Sequence, residues 1–87
     1  MKVYNMTSNN GNKVSNQFII EDKNKTYFQS YNSIIVLNKN GKITLDSYYW
    51  DYSVTTGKYR NQFLNEWIAE TRKKIKEGIY KLANLNK

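Results

Sequence analysis

The chain opens on a polar, asparagine-rich run and changes rhythm at Gln17-Phe18-Ile19-Ile20-Glu21, a β-branched stretch closed by Asp22-Lys23-Asn24-Lys25. A short apolar run bounded by turn-forming residues reads as a strand. Thr26 to Tyr31 predicts the next strand. Ser33-Ile34-Ile35-Val36-Leu37 is apolar almost throughout and predicts a central strand covered on both faces. Asn40-Gly41 then separates this run from Ile43-Thr44-Leu45. A two-residue type I′ turn needs positive φ at both central positions, which Asn-Gly supplies, so a tight hairpin is expected here. Lys39 and Lys42 flank the turn, where two charges keep a hairpin tip soluble.

From Asp46 the alternation is lost, and Tyr48, Tyr49, Trp50, Tyr52 and Tyr59 crowd into one segment. A loop over the sheet is expected, with Thr55 or Thr56 capping a helix and Gly57 near its start. Phe63, Leu64, Trp67, Ile68, Thr71 and Ile75 recur at spacings of three and four, which places them on one face of a single helix. Glu66, Glu70, Arg72, Lys73, Lys74, Lys76 and Glu77 fall on the other face. Acidic residues lead and basic ones follow, as the helix dipole favours, and Glu70 and Lys74 form an i, i+4 pair. Gly78 stops the helix. Ile79 to Leu85 alternates in part and reads as a last strand, and Lys2 to Met6 as an optional first one. The expected fold is therefore α+β: a small, mainly antiparallel sheet of about four to six strands packed against one long C-terminal amphipathic helix, then a short last strand. Residues 1–87 form a single domain in this reading, with residues 1–16 in part flexible.

Composition supports a folded domain, since 39% hydrophobic and 15% aromatic residues accompany no proline and only four glycines. The chain has no cysteine and no histidine. That removes disulfides, thiolate and imidazole chemistry and the ordinary zinc site, so no cofactor, metal or catalytic residue is expected. The start of the chain has no apolar leader segment and no stretch long enough to span a bilayer, which points to the cytoplasm and away from membranes.

Charge changes the picture most. The net charge is +7, and Lys58 to Lys87 hold eight basic residues against Glu66, Glu70 and Glu77, or +5 of that total. Such asymmetry favours a polyanionic partner: nucleic acid, a nucleoprotein or an acidic protein surface. The candidate binding residues are Trp50, Tyr52, Lys58, Tyr59, Arg60, Arg72, Lys73, Lys74 and Lys76. Rings among cations suit a single-stranded nucleic acid, the rings stacking and the cations holding phosphate. The competing explanation is ordinary packing of the tyrosines and a solvated last helical turn. A small histidine-independent ribonuclease using only Lys, Arg, Tyr and Glu is a third option.

Tyr49-Trp50-Asp51-Tyr52-Ser53, Thr55 to Leu64 (TTGKYRNQFL) and the ending Gly78 to Asn86 (GIYKLANLN) resemble small uncharacterised proteins of phages and mobile elements in low-GC Gram-positive bacteria. That resemblance implies a setting rather than a chemistry. Small accessory proteins of phages often inhibit host defences, anti-CRISPR proteins among them, by binding a nucleoprotein and blocking a step of its action. It implies a binding protein at work in the bacterial cytoplasm, not an enzyme. A sheet with one bare face would also be covered by a homodimer.

Overall fold

In the computed structural model, which describes residues 1–87, the strands are β1 (Lys2–Thr7), β2 (Lys13–Asp22), β3 (Lys25–Ser30), β4 (Ser33–Lys39), β5 (Lys42–Asp46) and β6 (Lys81–Ala83). Two helices, α1 (Val54–Leu64) and α2 (Ile68–Lys76), separate β5 from β6. The six strands form one sheet in chain order, antiparallel from β1 to β5, and β6 returns parallel to β5. A parallel neighbour requires a crossover, and the two helices supply it. The radius of gyration is 12.2 Å.

This corrects the expected fold. The sheet is mixed, and the single long amphipathic helix is replaced by two short ones. The break lies at Asn65, which takes the left-handed conformation (φ 56°, ψ 48°). The Asn65 N–H donates to the Gln62 carbonyl (3.3 Å) and the Glu66 N–H to that of Asn61 (3.1 Å), the pairing of a Schellman motif. Gly78, at φ 79°, ends α2 in the same way, with Gly78 donating to Ile75 (3.1 Å) and Ile79 to Lys74 (2.9 Å). Asn is one of the few side chains that tolerate this conformation, so it terminates a helix as glycine does but with a weaker signature. The start of α1 also differs: Ser53, rather than Thr55 or Thr56, caps it by accepting from the Thr56 N–H at 3.1 Å. Thr56 is buried and its hydroxyl lies 3.0 Å from that of Ser30, which ties α1 to the end of β3.

Cross-strand partners share a face of the sheet, so the register assigns the core. Ile19, Phe28, Val36 and Leu45 lie in one row across β2 to β5 and face the helices. Met6, Phe28, Ile35, Val36, Leu45, Tyr59 and Tyr80 are buried there, with Phe63, Leu64 and Ile75 packed against them. Nothing covers the other face. Phe18, Ile20, Tyr27, Ile34 and Leu37 lie on it, half-buried and outside the core. β4 is central, as expected, but covered on one face only.

Asp46 closes the architecture at the end of β5. Its buried carboxylate accepts from the N–H groups of Tyr48 (3.1 Å), Tyr49 (2.8 Å) and Leu85 (2.8 Å). Burial by itself would raise its pKa, but the donors Leu85, Tyr49, Asn86 and Tyr48 outweigh it and hold the carboxyl below its ordinary value. The tail that follows is clamped to β4, where the Asn86 amide accepts from the Ile34 N–H (2.6 Å) and donates to its carbonyl (2.9 Å).

Candidate functional site

The helical side carries an open cleft of about 1290 Å³ between the start of α1, the turn at Asn65 and α2. Lys58, Arg60, Arg72 and Lys74 line it, together with Asp51, Glu66, Glu70 and Trp67. The cleft thus gathers four of the nine expected binding residues, but it changes what three of them can do.

Arg60 forms the floor. Its side chain is only 1% exposed, and Nη1 donates to the Trp50 carbonyl (2.7 Å) and to Asp51 Oδ1 (3.2 Å), while Nη2 donates to Asn61 Oδ1 (2.9 Å). The guanidinium carbon sits 5.4 Å from the Trp50 ring centroid. Arg60 is therefore a buried tie between the aromatic turn and α1. Arg72, largely exposed, reaches the other oxygen of Asp51 at 3.1 Å, so one carboxylate bridges two arginines.

Lys74 is likewise engaged, and not with Glu70 as the helical spacing implied. Its ammonium lies 2.8 Å from Glu66 Oε1. The Glu66 side chain is 7% exposed and also accepts from the Tyr80 hydroxyl (2.9 Å) and the Thr71 hydroxyl (2.6 Å). Burial would raise the Glu66 pKa, yet the hydrogen bonds from Lys74, Thr71 and Tyr80 hold it below the usual range. The same contact raises Lys74, and burial together with Glu66 raises Tyr80. This network fastens the turn between the helices to the start of β6, and it leaves Glu66 as a saturated acceptor rather than a free base. No group of three or more carboxylates converges in a way that would hold a metal ion.

The remaining expected residues scatter. Tyr59 is buried in the core at 8% exposure. Tyr59 and Arg60 are thus enclosed within the fold rather than presented on the surface. Trp50 is half-buried, packed against the core and over Arg60. Tyr52 is exposed, but it clusters with Tyr48 and Tyr49 at ring separations of 6.0 and 5.2 Å rather than joining the cations of the cleft. Lys58 is exposed at the cleft wall, and Lys73 and Lys76 are exposed on α2 outside it. Trp67 is the residue that sequence periodicity misplaced. Assigned to the buried helical face, it is 78% exposed at the cleft, because the break at Asn65 resets the phase of α2.

The structure is thus a six-stranded mixed sheet with two short helices on one face and a partly self-neutralised polar cleft on the helical side. The model of a family of unknown function, DUF8033, matches residues 1–81, and the chain belongs to that family. No curated protein and no solved structure matches it. No helix is long and apolar enough to cross a membrane.

Proposed function

We propose that this domain acts by binding a protein surface rather than by catalysis. In the bacterial cytoplasm implied by its resemblance to phage accessory proteins, the target is a defence nucleoprotein held in an anti-CRISPR manner. The observation that carries the reading is Trp67, 78% exposed at the wall of a cleft whose cations are largely paired within the chain. A large ring held in water loses area on docking, and Trp, Tyr and Arg are the residues that dominate protein interfaces. Any external anion would have to compete with Asp51 and Glu66 for Arg72 and Lys74, which favours a protein surface that buries Trp67 against apolar groups over one held by charge alone. Against catalysis stands the engagement of the cleft's two most enclosed carboxylates in structural ion pairs.

The test is phage plaquing on a host whose active CRISPR effector targets that phage, with and without the chain. Wild type is expected to restore plaquing, and Trp67→Ala, folded to the same stability, to fail. Absence of restoration across the effector types tried removes the defence assignment. Restoration that survives Trp67→Ala moves the contact away from the cleft.

A further inference from the structure

The uncovered sheet face carries a row of cations that extends beyond the two lysines a soluble hairpin tip needs. Asp22 pairs with Lys25, Lys25 with Lys39 and Lys39 with Lys42, so three lysines stand directly opposite one another on β3, β4 and β5. Like charges at cross-strand positions destabilise a sheet. None of the three has a carboxylate within 4.0 Å, because the chain's ion pairs are Arg60–Asp51, Arg72–Asp51 and Lys74–Glu66. Alternation places Tyr27 and Leu37 on the same face as Lys25 and Lys39. Lys81, paired with Thr44 in the parallel register, adds a fourth cation to that face.

Beside the lysine row runs an apolar strip. Val3, Ile20, Tyr27, Leu37 and Thr44 form one cross-strand row, and Phe18, Gln29 and Ile34 the next. Phe18 and Tyr27 are diagonal neighbours, roughly 7–8 Å apart. Strands about 4.8 Å apart set Lys25 and Lys42 about 10 Å apart, a span that more than one phosphate can occupy. Two rings on an open sheet with a cationic border provide stacking for bases and neutralisation for a backbone. A second copy of the same face would bring its own lysines against these, so charge complementarity favours an anionic occupant.

We infer that the open sheet face binds single-stranded RNA, with Phe18 and Tyr27 stacking on unpaired bases and Lys25, Lys39, Lys42 and Lys81 holding the backbone. RNA is preferred over DNA because the Thr44 hydroxyl and the Gln29 Oε1, whose Nε2 donates to the Tyr31 carbonyl (2.7 Å), place polar atoms within the apolar strip, where a ribose 2′-hydroxyl finds partners. The inference is independent of the partner of the helical cleft, which lies on the other side of the sheet.

Fluorescence anisotropy of the full chain with a labelled single-stranded RNA of mixed sequence tests it, with single-stranded DNA and duplex DNA of the same length as controls. Binding to RNA is expected to be at least several-fold tighter than to either control. The joint change of Lys25, Lys39 and Lys42 to Ala should weaken it about tenfold and lower the salt slope by about 2. Tyr27→Leu keeps the side chain apolar and should weaken binding about tenfold through lost stacking. Lys39→Glu separates binding from folding: it relieves the like-charge row, so the variant should melt no lower than wild type while losing most of the affinity. Lys87→Ala, an exposed cation outside the row and the cleft, should change nothing. Absence of RNA binding, equal binding of DNA, or binding indifferent to Lys39→Glu and Tyr27→Leu overturns the inference. A sedimentation-detected dimer that Tyr27→Leu dissociates does so too, since a second copy would then be the occupant.

Discussion

The two sides of the sheet use positive charge in opposite ways. On the helical side, three basic side chains are spent inside the chain: Arg60 is buried against Trp50 and Asp51, Arg72 shares Asp51, and Lys74 closes a network with Glu66 and Tyr80. On the open side, Lys25, Lys39 and Lys42 oppose one another outside any ion pair, with Asp22 across from Lys25 the one opposite charge in the row. A count along the sequence puts the basic field in the C-terminal third. Pairing in space shows that much of that field is locally cancelled, whereas the less basic first half carries a row of lysines outside any ion pair. Net charge per segment is thus a poor guide to where an anion would be drawn.

The largest test of the contrast is Arg60→Ala. It strips a buried guanidinium from three acceptors, and a loss of about 3 kcal/mol in urea unfolding is expected. A loss well below that would mean the guanidinium is not what joins the aromatic turn to α1. Next comes Glu66→Gln, which should cost about 1–2 kcal/mol at neutral pH by weakening the contacts to Lys74 and Tyr80. Its signature is in the pH profile. Glu66 and Asp46 both sit below their ordinary values of 4.5 and 3.8 in the folded chain. The stability they contribute is complete above those values and is lost as pH falls through the lower folded ones. Glu66→Gln should flatten that acid limb, and an unchanged limb would assign it elsewhere. At the alkaline end the sign reverses: Lys74 and Tyr80 are raised from 10.5 and 10.0, so their share is present below those values and lost as pH rises through the higher folded ones.

Asn65→Ala addresses the break that separates the two helices and exposes Trp67. A β-carbon without the Asn side chain's local hydrogen bonding is strained in the left-handed region, and a loss of about 1 kcal/mol is expected, with Asn65→Gly neutral or slightly stabilising. On the open face, Lys39→Glu should raise stability by about 0.5 kcal/mol, since it turns two repulsive cross-strand pairs into attractive ones. The smallest effect belongs to Trp67→Ala. A side chain 78% exposed should shift stability by no more than about 0.5 kcal/mol, which is what makes it a clean probe of partner binding.

Local chemistry made several elements legible. Asn40-Gly41 turns a hairpin with φ values of 54° and 85°, and Gly78 stops a helix at φ 79°. Strands include the expected apolar runs, though β2 begins four residues earlier, at Lys13, and the last strand keeps only Lys81–Ala83 of the stretch from Ile79 to Leu85. The division into two helices is not legible in the sequence, because Phe63, Leu64, Ile68 and Ile75 keep a helical period across a boundary marked only by Asn65, whose left-handed conformation is one option among several for that residue. In the aromatic segment Tyr48 and Tyr52 are exposed while Tyr49, Trp50 and Tyr59 are packed, a division that residue type does not encode.

What the sequence determined by itself is therefore the set of local choices: turns where Gly and Asn relieve positive φ, strands where β-branched residues cluster, and a chain without thiol or imidazole. Which face each strand buries, which carboxylate each cation meets and which tryptophan reaches solvent were decided only in three dimensions. Those outcomes depend on register and on contacts between residues far apart in the chain. Asp51 meets Arg72 and Asn86 grips Ile34 across distances that no local pattern records.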